Sequence, residues 1–424
     1  MLNKYSKFIF FLICLFFSYC LKAEEILTWA DCVKIAEENN PDIQSAAEKV
    51  SQAKANVGIT RSGLLPKVDA SAGASTSKTG TDTRSNIRSD SYSYGVTGKQ
   101  LLFDGAKSHY DLQSSKKELE ASDYDYQVTS STVRLSLRNA FIQLLRAQEL
   151  SAISKEIAAI RKKNFELVQM RYKAGLENKG SLLTSEANLA QAEYEISQSG
   201  RNVIVAQQSL LKQMGLKEFK PLKVKDNLIA KAEKEKPDIT AIAGTNPSVL
   251  KIVSKRRSSE YSIKSADMDN APKIYGQLSA ERTGSKWPPE NSQLSAGVEM
   301  SLNLFQGGKN YYESGNARAY NKQLIADEKS TRSSVILTLE QKWNNLQNNF
   351  ELVNVQLKFL KAAEERAVIS DALYSIGSIV FDNWITIQDN LVSIKKNFLE
   401  AEVNALTAEA EWIQAKGGIL NYGE

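Results

Sequence analysis

The chain has 424 residues, 24% of them charged, with one histidine, three cysteines and a formal net charge of +5 at pH 7. The first 23 residues hold three lysines and no acid, so removing them lowers the net charge to about +2, which gives no support for nucleic-acid binding. A single histidine almost excludes a histidine-based catalytic arrangement or a multi-histidine metal site, and His109 is interpreted as an ordinary helix residue.

Residues 1–23 are predicted to be a secretory signal peptide, with a basic start, an apolar run at 8–17 and a small residue at its end. The apolar run is too short to span a bilayer. Cleavage after Ala23 would leave Cys32 as the only thiol, so neither an intramolecular disulfide nor a cysteine metal cluster is expected. Cys20 leaves a lipoprotein cleavage site open, although the bulky Tyr19 before it favours cleavage after Ala23.

The rest of the chain is predicted to be an internal duplication. Asn40-Pro41 recurs as Asn246-Pro247, and "LLFDG" at 101–105 recurs as "NLFQG" at 303–307. The spacing between these two markers is four residues shorter in the second copy, a length difference that a loop tip tolerates. The predicted organisation is repeat 1 at 24–215, an equatorial connection at 216–245 and repeat 2 at 246–424. The connection mixes lysine with glutamate, which is typical of a solvated surface.

Each repeat is predicted to contain a rising helix, a strand pair and a long helical hairpin. The strand pairs fall at 66–103 and 272–305. The hairpins fall at 106–215 and 308–418, the second being followed by a short C-terminal tail. The outgoing arm of each hairpin is nearly free of proline and glycine for roughly 65 residues, or about 100 Å of helix.

A coiled-coil seam is visible in the second hairpin, where apolar residues alternate steps of three and four. Its members are Ile336, Leu339, Trp343, Leu346, Phe350, Val353, Leu357 and Leu360. A sustained period of 3.5 residues predicts helices that supercoil around their neighbours. Both hairpins turn at a Tyr-x-x-Gly sequence, Tyr172 to Gly175 and Tyr374 to Gly377, and glycine suits the left-handed residue that ends a helix.

The predicted strands alternate apolar and polar residues, most clearly from Leu294 to Leu304, and their joining tips at 80–91 and 284–292 are polar. Strands of this length with one apolar face are typical of a membrane barrel with a wet lumen, the alternative being a soluble half-buried sheet. Four strands cannot close a barrel, and open edges in lipid leave backbone groups unpaired. Several copies are therefore expected to share one sheet.

These features resemble the outer membrane efflux protein family of TolC-like channels. The matching pieces are "NNPDI" at 39–43, "LLPKV" at 64–68, "LLFDG", "NLFQGG", the two Tyr-x-x-Gly turns and "AKGGIL" at 415–420. The likeness covers essentially the whole mature chain. It implies a mainly α fold with membrane β structure, in which internally duplicated helical hairpins form an α-barrel. Four strands per protomer would contribute to the 12-stranded β-barrel of a homotrimer.

The resemblance also implies a function. The chain would be the outer membrane exit duct of a tripartite efflux pump or a type I secretion system, extending into the periplasm as a passive conduit for small molecules or proteins. Implied partners are a periplasmic adaptor (membrane fusion protein), an inner-membrane pump of RND or ABC type, and outer membrane lipid. No enzyme activity or cofactor is expected, because no phosphate loop, nucleophile elbow or metal-ligand spacing occurs. A periplasmic coiled-coil adaptor or scaffold is the alternative, and the exported cargo stays open.

Family resemblance places a periplasmic gate at the two turns, where inward-pointing acids and hydrogen bonds would hold the tunnel closed. Six residues after the turn glycines, where related proteins often carry aspartate, stand Ser181 and Asn383. The candidate gate residues are therefore Glu177, Glu186, Asp382 and Asp389, with Tyr374 as a hydrogen-bonding partner. Carboxylate rings at a narrow mouth would favour cations and bind metal ions weakly. The alternative, solvated surface charges, stays open.

Overall fold

The computed structural model describes residues 25–81, 84–226, 228–230 and 235–420. The predicted signal peptide, including Cys20, lies outside this part of the chain. The first half contains β1 (Glu25–Leu27), α1 (Trp29–Asn39), α2 (Pro41–Ser62), β2 (Lys67–Thr81), β3 (Arg84–Phe103), α3 (Lys107–Lys173) and α4 (Lys179–Gln213). Two short elements follow, β4 (Leu222–Val224) and α5 (Ile239–Thr245). The second half contains α6 (Pro247–Asp267), a 3-10 turn (Met268–Asn270), β5 (Lys273–Gly284), β6 (Asn291–Ser301), α7 (Lys309–Ser375) and α8 (Phe381–Ala415).

The two halves repeat each other closely in element length. The long helices α3 and α7 both have 67 residues, and the return helices α4 and α8 both have 35. The expected mainly helical, duplicated fold is confirmed. One detail differs, since the first rising helix is two helices, α1 and α2, rather than one. The backbone of Asn40 is extended there, and Pro41 begins the second helix because its missing N–H costs nothing at that position.

The repeated Asn-Pro pair has the same local role in both halves. The Asn40 side chain accepts a hydrogen bond from the amide of Asp42 at 2.9 Å. Asn246 accepts one from the amide of Ser248 at 3.0 Å. Each asparagine thus caps the helix that leads into a strand pair, which supplies a partner for an otherwise orphan amide.

The four longer strands form one antiparallel sheet in the order β2-β3-β5-β6. The first hairpin is longer than expected, because polar residues predicted as a loop tip continue the ladder, with Thr81 paired to Arg84. Ladder hydrogen bonds join backbones, so polar side chains do not end them. Strand β6 stops at Ser301, short of the predicted end at 305. Within the described chain, β2 and β6 are each paired on one side only, so closing a barrel would need further copies.

The sheet has one apolar and one polar face, as the alternation predicts. Exposed apolar side chains share one face: Val68, Val96, Leu278, Leu294 and Val298. The other face carries the ion pair between Lys99 Nζ and Glu299 Oε2 at 3.4 Å, and a hydroxyl contact between Ser279 and Ser295 at 2.6 Å. No helix in the described ranges is both long enough and apolar enough to cross a membrane.

The chain divides into two compact units that do not follow the sequence repeats. Within the described residues, one unit contains the ranges 25–43, 130–237 and 339–420, and the other contains 44–129 and 238–338. The second unit holds the four-stranded sheet with α2 and α6. The first holds both hairpin turns and a buried core in which Trp343 meets Trp412 edge to face, with ring centroids 5.5 Å apart. Each unit draws on both repeats.

Candidate functional site at the hairpin turns

The two hairpin turns have the same backbone geometry. Gly175 and Gly377 adopt φ angles of 75° and 79°, in the left-handed region that favours glycine. In the first turn the amides of Gly175 and Leu176 donate to the carbonyls of Tyr172 and Arg171. The second turn repeats this pattern, with donors Gly377 and Ser378 and acceptors Tyr374 and Leu373. Paired bonds of this kind satisfy the last carbonyls of a helix and fix the direction in which the chain leaves it.

Tyr374 is the buried centre of the site. Its side chain is 0% exposed, although it lies only three residues before the turn glycine. The ring stacks on Trp384 of α8 with a centroid distance of 4.2 Å and an interplanar angle of 7°, and Phe381 packs against its edge at 6.3 Å. Such pairs contribute about 0.5–1.5 kcal/mol beyond the burial of their area. The aromatic cluster therefore holds the end of α7 against the start of α8.

The Tyr374 hydroxyl joins the second turn to the first, donating to Oε2 of Glu177 at 2.8 Å. Burial and the neighbouring carboxylate raise the pKa of the Tyr374 hydroxyl, so the group stays protonated as a donor. Burial alone would raise the pKa of Glu177 as well. Hydrogen bonds from Tyr374, the Asn178 amide and Ser181 outweigh it and leave the pKa of Glu177 below its ordinary value. Glu177 is therefore a carboxylate at neutral pH.

Arg171, at the end of α3, reinforces the same junction. Its guanidinium carbon lies 4.8 Å from the centroid of the Tyr374 ring, and its Nη1 donates to the Tyr374 backbone carbonyl at 3.1 Å. A guanidinium can stack on an aromatic face and donate in its own plane at the same time. Its positive charge also helps to keep Glu177 ionised. The noncovalent contacts of Arg171, the Tyr374 ring and Glu177 thus hold the two turns together.

Asp371 fixes the orientation of the ring on which Tyr374 stacks. One of its carboxylate oxygens accepts from Trp384 Nε1 at 2.7 Å and from Gln388 Nε2 at 2.7 Å. Trp384 is 1% exposed, so its indole N–H needs an internal partner. The carboxylate supplies that partner from the facing helix α7.

The other acids named from the sequence have different surroundings. Asp389 is ion-paired with Arg161 of α3, and the two side chains are 55% and 8% exposed. Asp382 and Glu186 lie exposed on their helices, and neither is ion-paired within the described residues. Of the four acids, the structure brings only Glu177 into contact with Tyr374. The exposed Tyr172, which matches Tyr374 in the first turn, takes no part in this network.

A polar layer lies further along α3. Arg161 and Asn164 are 7% and 8% exposed, and they occupy the buried seam between Ile157 and Val168. Arg161 Nη1 and Asn164 Nδ2 have no hydrogen-bond partner in the described chain. Polar residues at seam positions fix register at a cost in stability. Asp389 therefore compensates the charge of a buried cation on the facing helix.

The sequence pattern did not single out four residues of these contacts: Arg171, Asp371, Trp384 and Arg161. Arg171 directly precedes the tyrosine of the first turn, and that neighbour in "RYKAG" is the one signal that could have drawn attention to it. The roles of Asp371 and Trp384 depend on a contact between antiparallel helices, which spacing along one helix does not reveal. Among the described residues, no group of three or more histidine, cysteine or acidic side chains is placed to hold a metal ion.

Known proteins resemble this chain in sequence. The profile of the family described as "Outer membrane efflux protein" matches residues 32–216 and 239–418. The outer membrane protein TolC of Vibrio cholerae is 25% identical over 378 residues, covering 84% of this chain and 82% of that protein. The solvent efflux pump outer membrane protein SrpC of Pseudomonas putida is 24% identical over 183 residues, which cover 42% of this chain and 38% of SrpC.

Among solved structures, the Campylobacter jejuni CmeC outer membrane channel superposes with a TM-score of 0.82 at 17% identity. The aligned region covers 92% of this chain and 86% of that channel. At this level of identity the match concerns the fold, which includes both hairpins and the strand pairs.

Proposed function

The chain belongs to the outer membrane efflux protein family, and from this premise we propose that it is the outer membrane exit duct of an export system. In this role it is a passive conduit, and several copies enclose the path that the cargo follows. The copies number three if the strands complete one 12-stranded barrel. The duct extends from the outer membrane into the periplasm.

The observation that carries the proposal is the two-faced, four-stranded sheet. Its exposed apolar face includes Leu294 and Val298, at 83% and 73% exposure, and burying such side chains in lipid is favourable. The opposite face holds the Lys99–Glu299 pair, which suits a water-filled lumen. Trp287 meets Tyr92 and Tyr94 near the end of this sheet, and amphipathic rings of this kind favour the membrane interface.

We assign the closed gate of this duct to the junction of Tyr374, Glu177 and Arg171. Opening the periplasmic mouth requires the two hairpin turns to separate, and these three residues join one turn to the other. Asp382 and Glu186 remain candidates for carboxylates facing the passage, because both are exposed. Asp389 is assigned to the buried pair with Arg161 instead.

The partners follow from the passive nature of the duct. A passive conduit depends on another component for its driving force, so an inner-membrane pump, joined through a periplasmic adaptor, would supply both the work and the choice of cargo. The named relatives serve different cargoes, such as solvents for SrpC and pyoverdine for OpmQ of Pseudomonas aeruginosa. The pump that docks to this duct would determine its cargo.

Reconstitution tests the proposal. The mature chain, extracted in detergent from outer membranes, is expected to run as an oligomer that dissociates on heating and to form low-conductance pores in planar bilayers. A monodisperse monomer that stays in solution without detergent would overturn the proposal, and so would an oligomer without pore activity. A periplasmic adaptor or scaffold would give the first of these results.

A further inference from the structure

A basic pocket of about 400 Å³ lies where the polar face of the sheet meets the helices, a volume within the range of ligand sites. Four lysines line it and define what we call the lysine pocket: Lys67 at the start of β2, Lys99 on β3, Lys107 at the start of α3 and Lys273 at the start of β5. None of them belongs to the hairpin turns or to the apolar face of the sheet. All four lie in the same compact unit.

Two of these lysines stand directly opposite each other, Lys67 on β2 and Lys99 on β3. The Cβ atoms of such a pair are about 5 Å apart, and like charges placed there repel. Lys99 has partners, since its Nζ lies 3.4 Å from Glu299 Oε2 and 4.2 Å from the centroid of the Tyr275 ring. Lys67 is exposed and makes no hydrogen bond or ion pair within the described ranges. An anion between the two ammonium groups would replace this repulsion with attraction.

The other two lysines share a single carboxylate. Lys107 Nζ and Lys273 Nζ lie 3.5 Å and 3.8 Å from the same oxygen of Asp269. A further acid in the lining, Asp104, accepts a hydrogen bond from the amide of Ser108 at 2.9 Å and so serves the first turn of α3. These two acids and the partner of Lys99 make three carboxylates against four lysines. The pocket therefore carries a surplus of positive charge, which favours an anion.

Part of the pocket wall is apolar. Leu65, Leu101 and the ring of Tyr275 line it together with the lysines, and Leu65 is 52% exposed. An inorganic anion held between the ammonium groups would leave this apolar surface in water. An organic anion could cover it with its carbon atoms, and removing apolar surface from water is favourable. The lining thus suits a ligand with an anionic group on an apolar body.

The pocket opens on the passage of the proposed duct. Lys67 and Lys99 lie on the polar face of the sheet, the face that we assign to the water-filled lumen. Each copy that joins the barrel adds one such pocket at the same level, so lysines would surround the passage. Rings of basic side chains are a means by which pores select anions and phosphates.

We propose that the lysine pocket binds organic anions, through a carboxylate or phosphate group, as they pass along the duct. The anionic group lies between Lys67 and Lys99, and the apolar part of the ligand lies against Leu65 and the Tyr275 ring. Binding of this kind must be weak enough to release the solute again. The inference rests on the proposed function, and it adds a chemical class of solute that the wall of the duct itself retains.

Block of the pore current tests the pocket. Phenyl phosphate, added at constant ionic strength, is expected to reduce the current through wild-type pores in planar bilayers, and inorganic phosphate to reduce it less. Lys67→Gln should need about fivefold more phenyl phosphate for the same block, the effect of losing one charge about 4 Å away in water. Lys78→Gln is the matched control, because Lys78 is an exposed lysine on the other face of β2, and should block as wild type. Equal block of wild type and Lys67→Gln overturns the inference, and equal block by the two phosphates overturns the preference for an organic anion.

Thermal dissociation of the oligomer in detergent measures binding without relying on current. A ligand that binds the folded protein raises its dissociation temperature. Phenyl phosphate should therefore raise this temperature for wild type and Lys78→Gln, and raise it less for Lys67→Gln. A shift of equal size in wild type and Lys67→Gln, or no shift in wild type, overturns the inference. The proposed function is separable, since a wild-type oligomer that conducts but shows no effect of phenyl phosphate removes only the lysine pocket.

Discussion

The hydroxyl of Tyr374 donates a hydrogen bond to Oε2 of Glu177 at 2.8 Å, across 197 residues of sequence. This bond joins the turn of one repeat to the turn of the other. The two turns have the same backbone geometry, but their side chains have unequal roles. Tyr374 is buried, whereas its counterpart Tyr172 is exposed.

Removing the Tyr374 hydroxyl should loosen the closed state. Tyr374→Phe keeps the stack on Trp384 but loses a hydrogen bond to a charged group, which contributes about 1.5–3 kcal/mol. We expect more frequent or longer openings in single-channel recordings, with little change in oligomer assembly. Tyr172→Phe is the matched control and should behave as wild type. Indistinguishable recordings for the two variants would remove Tyr374 from the gate.

Acid should weaken the same junction. The pKa of Glu177 is lowered in the folded chain, so its stabilising contribution is fully present above the ordinary glutamate pKa of about 4.3. The contribution is lost as the pH falls through the lower folded value. We expect wild-type open probability to rise as the pH is lowered below the ordinary glutamate pKa of about 4.3, and Glu177→Gln to show a raised open probability already at neutral pH. The same acid response in both proteins would contradict this assignment.

Asp389 and Asp382 should respond differently to substitution. Asp389→Ala leaves the buried Arg161 guanidinium without its partner, at a cost of about 1–3 kcal/mol in unfolding free energy. Asp382→Ala removes an exposed charge and should leave stability nearly unchanged. Thermal melting in detergent measures both. If Asp389→Ala instead altered cation preference at unchanged stability, Asp389 would belong to the passage.

Glu402 of α8 should make stability depend on pH. Burial, and then the negative charge of Glu149, raise the pKa of Glu402 to about 7. Between the unfolded value near 4.3 and about 7 the folded chain binds more protons, so stability falls as the pH rises through this window. At pH 8, Glu402→Gln should raise the free energy of unfolding above that of wild type by roughly 1 kcal/mol, once the partial exposure of the side chain is allowed for. Near pH 4 the variant and wild type should melt at the same temperature. Glu149→Gln should show a smaller gain, and a gain for Glu402→Gln that is equal at both pH values would refute the prediction.

Gly215, just after α4, should not tolerate a side chain. Its φ is +78°, and an added Cβ would lie 2.2 Å from the carbonyl oxygen of Asn39. Left-handed backbone alone costs a residue with a side chain about 1–2 kcal/mol, and the backbone contact adds to this. Gly200→Ala is the control, because Gly200 lies inside α4 with open space around it and should gain up to about 1 kcal/mol. Equal melting temperatures would show that the backbone at Gly215 can relax.

Local sequence patterns predicted correctly those structural features that depend on residues close together in the chain. The Tyr-x-x-Gly turns and the alternating faces around Leu294 are such features, because each arises within a few residues of chain. The same reasoning missed the break between α1 and α2, although Asn40-Pro41 was visible as a repeat marker. Proline was noted there as a sign of duplication, while its effect on the preceding residue was overlooked.

Long-range contacts account for the rest of the site. Periodicity could not separate Glu177, which holds Tyr374, from Glu186, which lies exposed nine residues later on the same hairpin. Nor could it reveal that Asp389 meets Arg161, because the two residues lie in different repeats.

Residue order alone was enough to predict the duplication, the long helices, the two-faced strands and the position of the turns, since period and glycine placement act over one or two helical turns. Which acid pairs with which cation became known from the folded chain, as did the finding that each compact unit draws on both repeats. Burial and charge pairing depend on which helices lie side by side, and residues far apart in the chain become neighbours only after folding.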